Sequence, residues 1–270
     1  MKIALIGYGK MGRLLELAAL SRGHLIIAVV DPFTDQKAAP PAPSRAPFFK
    51  TISEAEGALA KADAAVEFTR PDAAAENINA LAERKIPAVV GTTGWLEHLE
   101  ILSWAVKTAG SSLLWAPNFS LGVHLFYRIA AYAARNMDPF PEYDVGGFEA
   151  HHNKKADSPS GTAKTLVEQV LSQMTRKTRA DWEVLDSPPH PALIHFPSLR
   201  IGSVPGTHTL IFDSPADTIT ITHSARNRDG FAAGAIRAAE WLVNCPGPGM
   251  DAGEVRRGVF TIDDVLQELL

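Results

Sequence analysis

The chain has 270 residues, 46% hydrophobic and 21% charged, with a net charge of -4, enough for one large domain or two modest ones around a buried core. An isoelectric point near 6.1 gives no bulk electrostatic case for nucleic acid, and no apolar run is long enough to span a bilayer. Cys245 is the single cysteine, which excludes an internal disulfide and suits a reducing, cytoplasmic setting. Lys2 and the run Ile3–Ile6 faintly resemble a secretory leader, but Gly7, Gly9, Lys10 and Arg13 interrupt it and no small-residue cleavage site follows.

The first half alternates strands and helices. Lys2–Ile6 is a short apolar run of the kind that forms a buried parallel strand. Gly7-Tyr8-Gly9-Lys10-Met11-Gly12 follows and opens a helical pattern over Arg13–Ser21, and His24–Val30 is a second apolar run ending in Asp31. Strand, GxGxxG turn, helix and an acid about 20 residues on form the dinucleotide-binding arrangement. The glycines tighten the turn and admit a pyrophosphate, while the acid accepts hydrogen bonds from a ribose 2′-hydroxyl and repels a 2′-phosphate. Pro32 and Phe33 follow Asp31 with no adjacent base, which favours NADH over NADPH. Lys37 and Arg45 lie in or beside the Pro/Ala-rich stretch 38–46, and either can fold back to admit NADPH.

Further strands are expected over 48–52, 64–68, 87–90 and 111–115, with helices over 53–61, 72–84 and 96–108. This alternation predicts a Rossmann-type doubly wound parallel sheet. In such sheets ligands bind beyond the carboxyl ends of the strands. Those ends carry Phe68-Thr69, Gly91-Thr92-Thr93 and Pro117-Asn118-Phe119. Small residues there allow close cofactor approach, and Phe119 is placed as a wall for the nicotinamide. The expected cofactor site is Gly7, Gly9, Lys10, Met11, Gly12, Asp31, Phe68, Thr69, Gly91, Thr92, Thr93, Pro117, Asn118 and Phe119.

After a helix over 121–136 the rhythm changes. Strands are expected over 143–152, 193–201, 208–213 and 217–224, with a helix over 160–174. The alternation Thr218-Ile219-Thr220-Ile221-Thr222 implies a sheet with one apolar face. This predicts an α+β domain with an open mixed β-sheet, whose threonine-rich face is either solvated or packed on a second subunit. The helix over 229–243 and the strand and helix after 259 (capped by Thr261 or Asp263) are expected to return to the first domain. The expected division is 1–120 with 226–270 for dinucleotide binding, and 121–225 for substrate binding and oligomerisation.

Glu149-Ala150-His151-His152-Asn153-Lys154-Lys155-Ala156-Asp157-Ser158-Pro159-Ser160-Gly161-Thr162-Ala163 packs proton carriers beside a helix start. Histidine moves protons near neutral pH, and lysine donates a proton or holds an anion. Ser158 reads as the N-cap with Pro159 at the first helical position. Free amides at Ser160 and Gly161 then suit a carboxylate or phosphate. The histidines are adjacent and no second cluster with ligand spacing is visible, so no metal is expected.

This segment closely resembles the signature of the 4-hydroxy-tetrahydrodipicolinate (dihydrodipicolinate) reductase family. The agreement extends over nearly the whole chain. It takes in Gly7–Gly12, Glu67-Phe68-Thr69 with Pro71, Gly91–Gly94, Ala116–Gly122, and Thr222-His223-Ser224-Ala225 with Arg228 and Phe231. The resemblance implies a nucleotide-binding domain plus a tetramerising mixed-sheet domain, hence a homotetramer. The implied reaction reduces a cyclic, imine-containing dicarboxylate to tetrahydrodipicolinate on the diaminopimelate route to lysine, at the expense of NADH or NADPH. By position, His151 and Lys155 are the implied catalytic pair, either of them delivering the proton. His152 implies a substrate contact, and Ser160, Gly161 and Thr162 imply a carboxylate clamp. Asn153 stands where many relatives carry a base, and Pro32 where many NADP-tolerant relatives carry arginine. Two competing readings are an oxidoreductase of similar architecture acting on another small acid, and a non-catalytic NAD-binding sensor.

Overall fold

The computed structural model describes residues 1–33 and 43–269. Lys37 and most of the Pro/Ala-rich stretch lie outside the described residues. Arg45 is exposed, with φ 54.

The elements from the start are β1 (Lys2–Ile6), α1 (Lys10–Ser21), β2 (Leu25–Val30), β3 (Phe48–Phe49), α2 (Glu56–Leu59), β4 (Ala64–Glu67), α3 (Pro71–Glu83), β5 (Ala88–Val90), α4 (Leu99–Ala109) and β6 (Ser112–Trp115). Then come α5 (Leu121–Met137), β7 (Asp144–His151), α6 (Gly161–Leu171), β8 (Arg179–Asp181), β9 (Leu193–His195), β10 (Ser198–Arg200), β11 (Thr207–Asp213) and β12 (Thr218–Ser224). The chain closes with α7 (Asp229–Leu242), β13 (Gly258–Thr261) and α8 (Ile262–Leu269). Contacts gather these into two compact units, one of Met1–Ser120 with the chain from Arg228 on, the other of Leu121–Asn227.

The first unit is a seven-stranded sheet in the order β13-β6-β5-β4-β1-β2-β3, with every pair parallel. Its central strands are apolar runs buried on both faces, as parallel strands under helices must be. Helix α1 buries Gly12, Leu15, Glu16 and Ala19 along one stripe. Helix α3 starts on Pro71, whose fixed φ suits a first helical position. Helix α4 ends at Gly110 in the left-handed conformation. Ile6, Val30, Leu59, Ile78, Val90 and Val106 belong to one core, and full burial of each such side chain stabilises the fold by roughly 1.5–3 kcal/mol. Helix α7 packs on α1 and over β4, β5 and β6. A Cβ at Gly234 would stand 1.7 Å from the Phe119 carbonyl oxygen, so this glycine permits the close approach.

The second unit carries a four-stranded sheet, β10-β7-β11-β12, and a two-stranded one, β8-β9. The larger sheet is mixed: β10 runs parallel to β7, while β11 is antiparallel to both β7 and β12. Helices α5 and α6 pack together, and Phe126, Val167, Phe196, Leu210 and Phe212 belong to its core. The outermost strand β12 leaves Thr218, Ile219, Thr220, Thr222 and Ser224 exposed. Register places His208 opposite Glu149 on one side and opposite His223 on the other, while Ser198 pairs Glu149 on the remaining side. Directly paired residues share a face of a sheet, so four polar side chains line up across four strands.

Three expectations shift. The first helix begins at Lys10 instead of Arg13, because the glycine turn is itself the helix start. The strand expected over 48–52 is only Phe48–Phe49. The strand expected over 193–201 splits at Phe196-Pro197 into β9 and β10, which pair in different sheets. Pro197 has no N–H for a ladder, though its carbonyl accepts from Glu149 N at 3.0 Å. Among the described residues no helix is long and apolar enough to cross a membrane.

Candidate active site

In the first unit a cleft of about 420 Å³ is lined by Gly9, Lys10, Met11, Phe68, Thr69, Pro71, Gly91, Thr92 and Thr93. Eight of these are expected cofactor residues, and Pro71 is the addition. The glycine turn explains the opening. Gly7 has φ +90, and a Cβ there would meet the Phe68 carbonyl oxygen at 2.2 Å, so the turn closes tightly on the loop after β4. A Cβ at Gly9 would meet nothing within 4 Å. Gly9 caps α1 without a side-chain hydrogen bond, which leaves the first amides of that helix for an anion. These features fit a dinucleotide pyrophosphate.

Asp31 Oδ2 accepts from the Tyr8 amide at 2.6 Å, and Oδ1 accepts from the Phe33 amide at 2.8 Å. The acid therefore anchors the glycine turn. The Arg70 guanidinium lies 5.0 Å over the ring of Phe33, two residues after Asp31, and pairs with Asp72 at 2.9 Å. Sequence proximity to Asp31 could not have shown this cation. Phe119 is 1% exposed, with its ring 6.1 Å from that of Phe68, so it backs Phe68 instead of walling the cleft. Asn118 Oδ1 accepts from Ser120 N at 2.8 Å and shapes that turn. Pro117, Asn118 and Phe119 do not line the cleft described above.

Beneath the cleft, Glu67 is fully buried. It accepts from the Thr69 hydroxyl and, at 3.4 Å, from Asn77 Nδ2, while Oε2 has no partner. Burial pushes its carboxyl up, against the hydrogen bonds from Thr69, Thr92 and Asn77.

In the second unit, His151 ends β7 and the loop after it leads into α6. The expected cap is corrected. Ser160, not Ser158, caps α6: its backbone is extended (φ -68, ψ 155) and its Oγ accepts from Ala163 N at 3.1 Å. Pro159 precedes the helix, joined to Ser158 by a cis peptide. The free amides therefore belong to Gly161 and Thr162, one residue later than expected. A Cβ at Gly161 would meet nothing within 4 Å, which leaves that helix start open to an anion.

Glu149 organises the rest. It is fully buried. Its Oε1 accepts from Ser160 N at 3.0 Å, Ser198 Oγ at 2.7 Å and Arg200 Nη2 at 3.3 Å. Its Oε2 accepts from the Ser160 hydroxyl and stands 3.4 Å from His208 Nε2 and 3.3 Å from His151 Nδ1. Burial alone would raise this carboxyl; the donors His208, Ser160 and Ser198 outweigh it and hold it well below the ordinary range. His151 is lowered to about 4, first by burial; Glu149 opposes this, while His208, Lys155 and Arg200 add to it. Lys155 Nζ donates to Asp157 Oδ1 and Oδ2 at 2.8 and 3.0 Å. Arg200 donates to the Asp157 carbonyl at 2.6 Å and so ties this loop to β10. His152 Nδ1 is buried without a partner.

Residue spacing missed His208, Ser198 and Arg200. The fold brings one ligand atom each from Glu149, His151 and His208 within 4.8 Å of the others, a grouping that sequence spacing does not show. The donor set favours hydrogen bonding over an ion, because hydroxyls, an amide and a guanidinium already occupy the carboxylate.

A glycine-turn cleft on a parallel sheet, in a chain that also carries a histidine and a lysine ahead of an open helix start, fits a nicotinamide-dependent oxidoreductase. The family descriptions "Dihydrodipicolinate reductase, N-terminus" and "Dihydrodipicolinate reductase, C-terminus" match residues 1–119 and 122–266. The chain belongs to this family, whose members are NAD(P)H-dependent reductases. It is 36% identical to the 4-hydroxy-tetrahydrodipicolinate reductase of Christiangramia forsetii, over 100% of this chain and 99% of the relative. It is 35% identical to that of Laribacter hongkongensis, over 96% and 94%. A dipicolinate-bound dihydrodipicolinate reductase from Paenisporosarcina sp. TG-14 shares the fold, with a TM-score of 0.74 at 22% identity over 97% of each chain.

Proposed function

We propose that this chain reduces 4-hydroxy-tetrahydrodipicolinate, a cyclic imine dicarboxylate, to tetrahydrodipicolinate in the diaminopimelate route to lysine, one hydride and one proton being added and the 4-hydroxyl leaving as water. The observation that carries the reading is the juxtaposition in the second unit of His151 and Lys155 with the Ser160-capped helix start. It is supported by full-length similarity to reductases of that name.

In this reading the first unit holds the dinucleotide. Gly9, Lys10 and Met11 take the pyrophosphate, Asp31 the ribose, and Phe68, Thr69, Gly91, Thr92 and Thr93 the nicotinamide half, with Gly7 and Gly12 shaping the turn and Pro117, Asn118 and Phe119 backing it. When bound, the nicotinamide supplies the hydride. The second unit binds and protonates. The amides of Gly161 and Thr162, with Ser160 as cap, hold one carboxylate, and His152 contacts the substrate. Lys155 carries the proton, since burial keeps His151 neutral at neutral pH. His151 is an acceptor and proton relay at Nε2, the nitrogen on the Gly206 side: a Cβ at Gly206 would stand 3.0 Å from it. Proton delivery offsets the negative charge that builds on the ring.

NADH is the preferred cofactor in this reading, because Asp31 is followed by Pro32 with no adjacent base. Arg70 over Phe33 leaves NADPH usable. A homotetramer assembled through the second unit is the proposed state, supported by the exposed β12 edge with Ile219, which is 38% exposed. Light scattering on the purified chain decides that point, a monomeric mass overturning it. Purified protein with enzymatically generated substrate is expected to consume NADH, with kcat/KM for NADH above that for NADPH. Turnover confined to other small acids would favour a different dehydrogenase, and NADH binding without turnover a sensor.

A further inference from the structure

The second unit holds three buried groups that proton delivery by Lys155 does not use. They are Glu149, His208 (3% exposed) and the buried Nδ1 of His151, whose contact with Glu149 falls short of hydrogen-bond geometry. They come from two strands, β7 and β11, whose register sets Glu149 against His208. The His151 and His208 rings meet edge to face, centroids 5.2 Å apart at 74°. His208 Nε2 reaches both the Ser160 hydroxyl at 3.2 Å and Glu149 Oε2 at 3.4 Å. The same Oε2 stands 3.3 Å from His151 Nδ1. One carboxylate oxygen thus touches the imidazole, the helix cap and the crossing histidine.

We propose that Glu149 and His208 are a positioning pair for the reduction: Glu149 holds the Nδ1–H tautomer of His151, leaving Nε2 for the substrate, and His208 aligns that carboxylate against the Ser160 cap. The inference rests on the function proposed above for its kinetic consequence, though not for its structural content.

The reasoning is electrostatic. A neutral imidazole carries one ring proton, and the hydrogen bond made by one nitrogen decides the role of the other. Glu149 is ionised and can only accept. The ring nitrogen facing it is therefore the one that carries hydrogen. Arg200, Ser198 and the Ser160 amide all sit on Oε1, which leaves Oε2 to His151, His208 and the Ser160 hydroxyl. His208 reaches Oε2 from a neighbouring strand, so removing its N–H frees that oxygen to turn away from His151. Lys155 and Arg200 supply the positive charge near His151, and His223 lies beyond His208.

The direct test is nitrogen NMR of the 15N-histidine protein at pH 7.5, with His151 assigned by its loss in a His151→Gln spectrum. Nδ1–H for His151 in the wild type is expected. Nε2–H would overturn the proposal, and this holds whatever the protein turns over. Glu149→Gln is expected to place an amide N–H against Nδ1 and switch His151 to Nε2–H; an unchanged tautomer in a folded variant contradicts the role. Kinetically, His208→Leu is expected to lower kcat about 10- to 100-fold, the lower reach of a displaced acid/base group, with KM for NADH unchanged. His208→Gln keeps an N–H donor and is expected to recover most of that loss. Equal loss in both variants, or none in either, overturns the positioning role. If the wild type reduces no cyclic imine, the functional reading fails while the tautomer still decides the pair.

Discussion

Glu67 in the first unit and Glu149 in the second are both fully buried on strands beneath a site, yet their carboxyls are pushed in opposite directions. Glu67 has two threonine hydroxyls and a carboxamide, all neutral. Glu149 has two hydroxyls, an amide, a guanidinium and two imidazoles. Burial penalises the charged form of both, and the number and charge of the donors decide the outcome. The glutamate beneath the cleft has its carboxyl pushed toward the neutral form by burial. The one beside His151 and the Ser160 cap is held as an anion by its donors.

The largest expected effect follows from removing the charge of Glu149. Glu149→Gln is expected to cost about 3 kcal/mol, the scale of breaking a buried charged network, and to lower Tm by roughly 6–12 °C. A melt within 2 °C of wild type would erase the contrast between the two acids. Glu67→Gln puts a carboxamide of the same shape in place of a carboxyl that burial already pushes toward its neutral form, and is expected to cost less than about 1 kcal/mol.

Acid sharpens the same comparison. His151 and Glu149 have depressed values in the fold, so their stabilising contributions are present at neutral pH and are lost as pH falls. For His151 the loss begins near 6.5 and is complete near 4; for Glu149 it begins below 4.5. Glu67 is raised, so its contribution is present below 4.5 and is lost as pH rises through its folded value. Hydrogen exchange should therefore show protection of β7 amides falling from pH 6.5 to 4.5, and more steeply than that of β4 amides.

A smaller effect separates fold from ligand in the first unit. Gly9→Ala adds a Cβ that meets no atom, so stability is expected to change by less than about 0.5 kcal/mol. KM for NADH is expected to rise about 10-fold, equivalent to about 1.4 kcal/mol of binding. An unchanged KM would remove Gly9 from the pyrophosphate site.

Much of this was legible in the sequence because its signals are local. Strand, glycine turn, helix and acid occupy one stretch, 2–31, and His151, Lys155 and the cap occupy another, 149–163. Register is not local. His208 reaches Glu149 only because β11 pairs with β7, and Ser198 and Arg200 only because β10 lies on the other side. The break at Pro197 frees β10 for this pairing, whereas the residue pattern over 193–201 alone predicts one continuous strand. The cap was misplaced by two residues because Ser158-Pro159 and Ser160-Gly161 carry equivalent local signals; the Glu149 carboxylate beside Ser160, a contact across eleven residues, marks the second as the true start.

The central claim is tested most directly by following NADH oxidation on the cyclic imine dicarboxylate with the wild type, Lys155→Ala and His151→Ala side by side. Wild-type turnover is expected, with each variant lowered at least about 100-fold, the scale of a lost acid/base group, and KM for NADH unchanged. A wild type that leaves NADH untouched, or variants that turn over at its rate, would contradict the account.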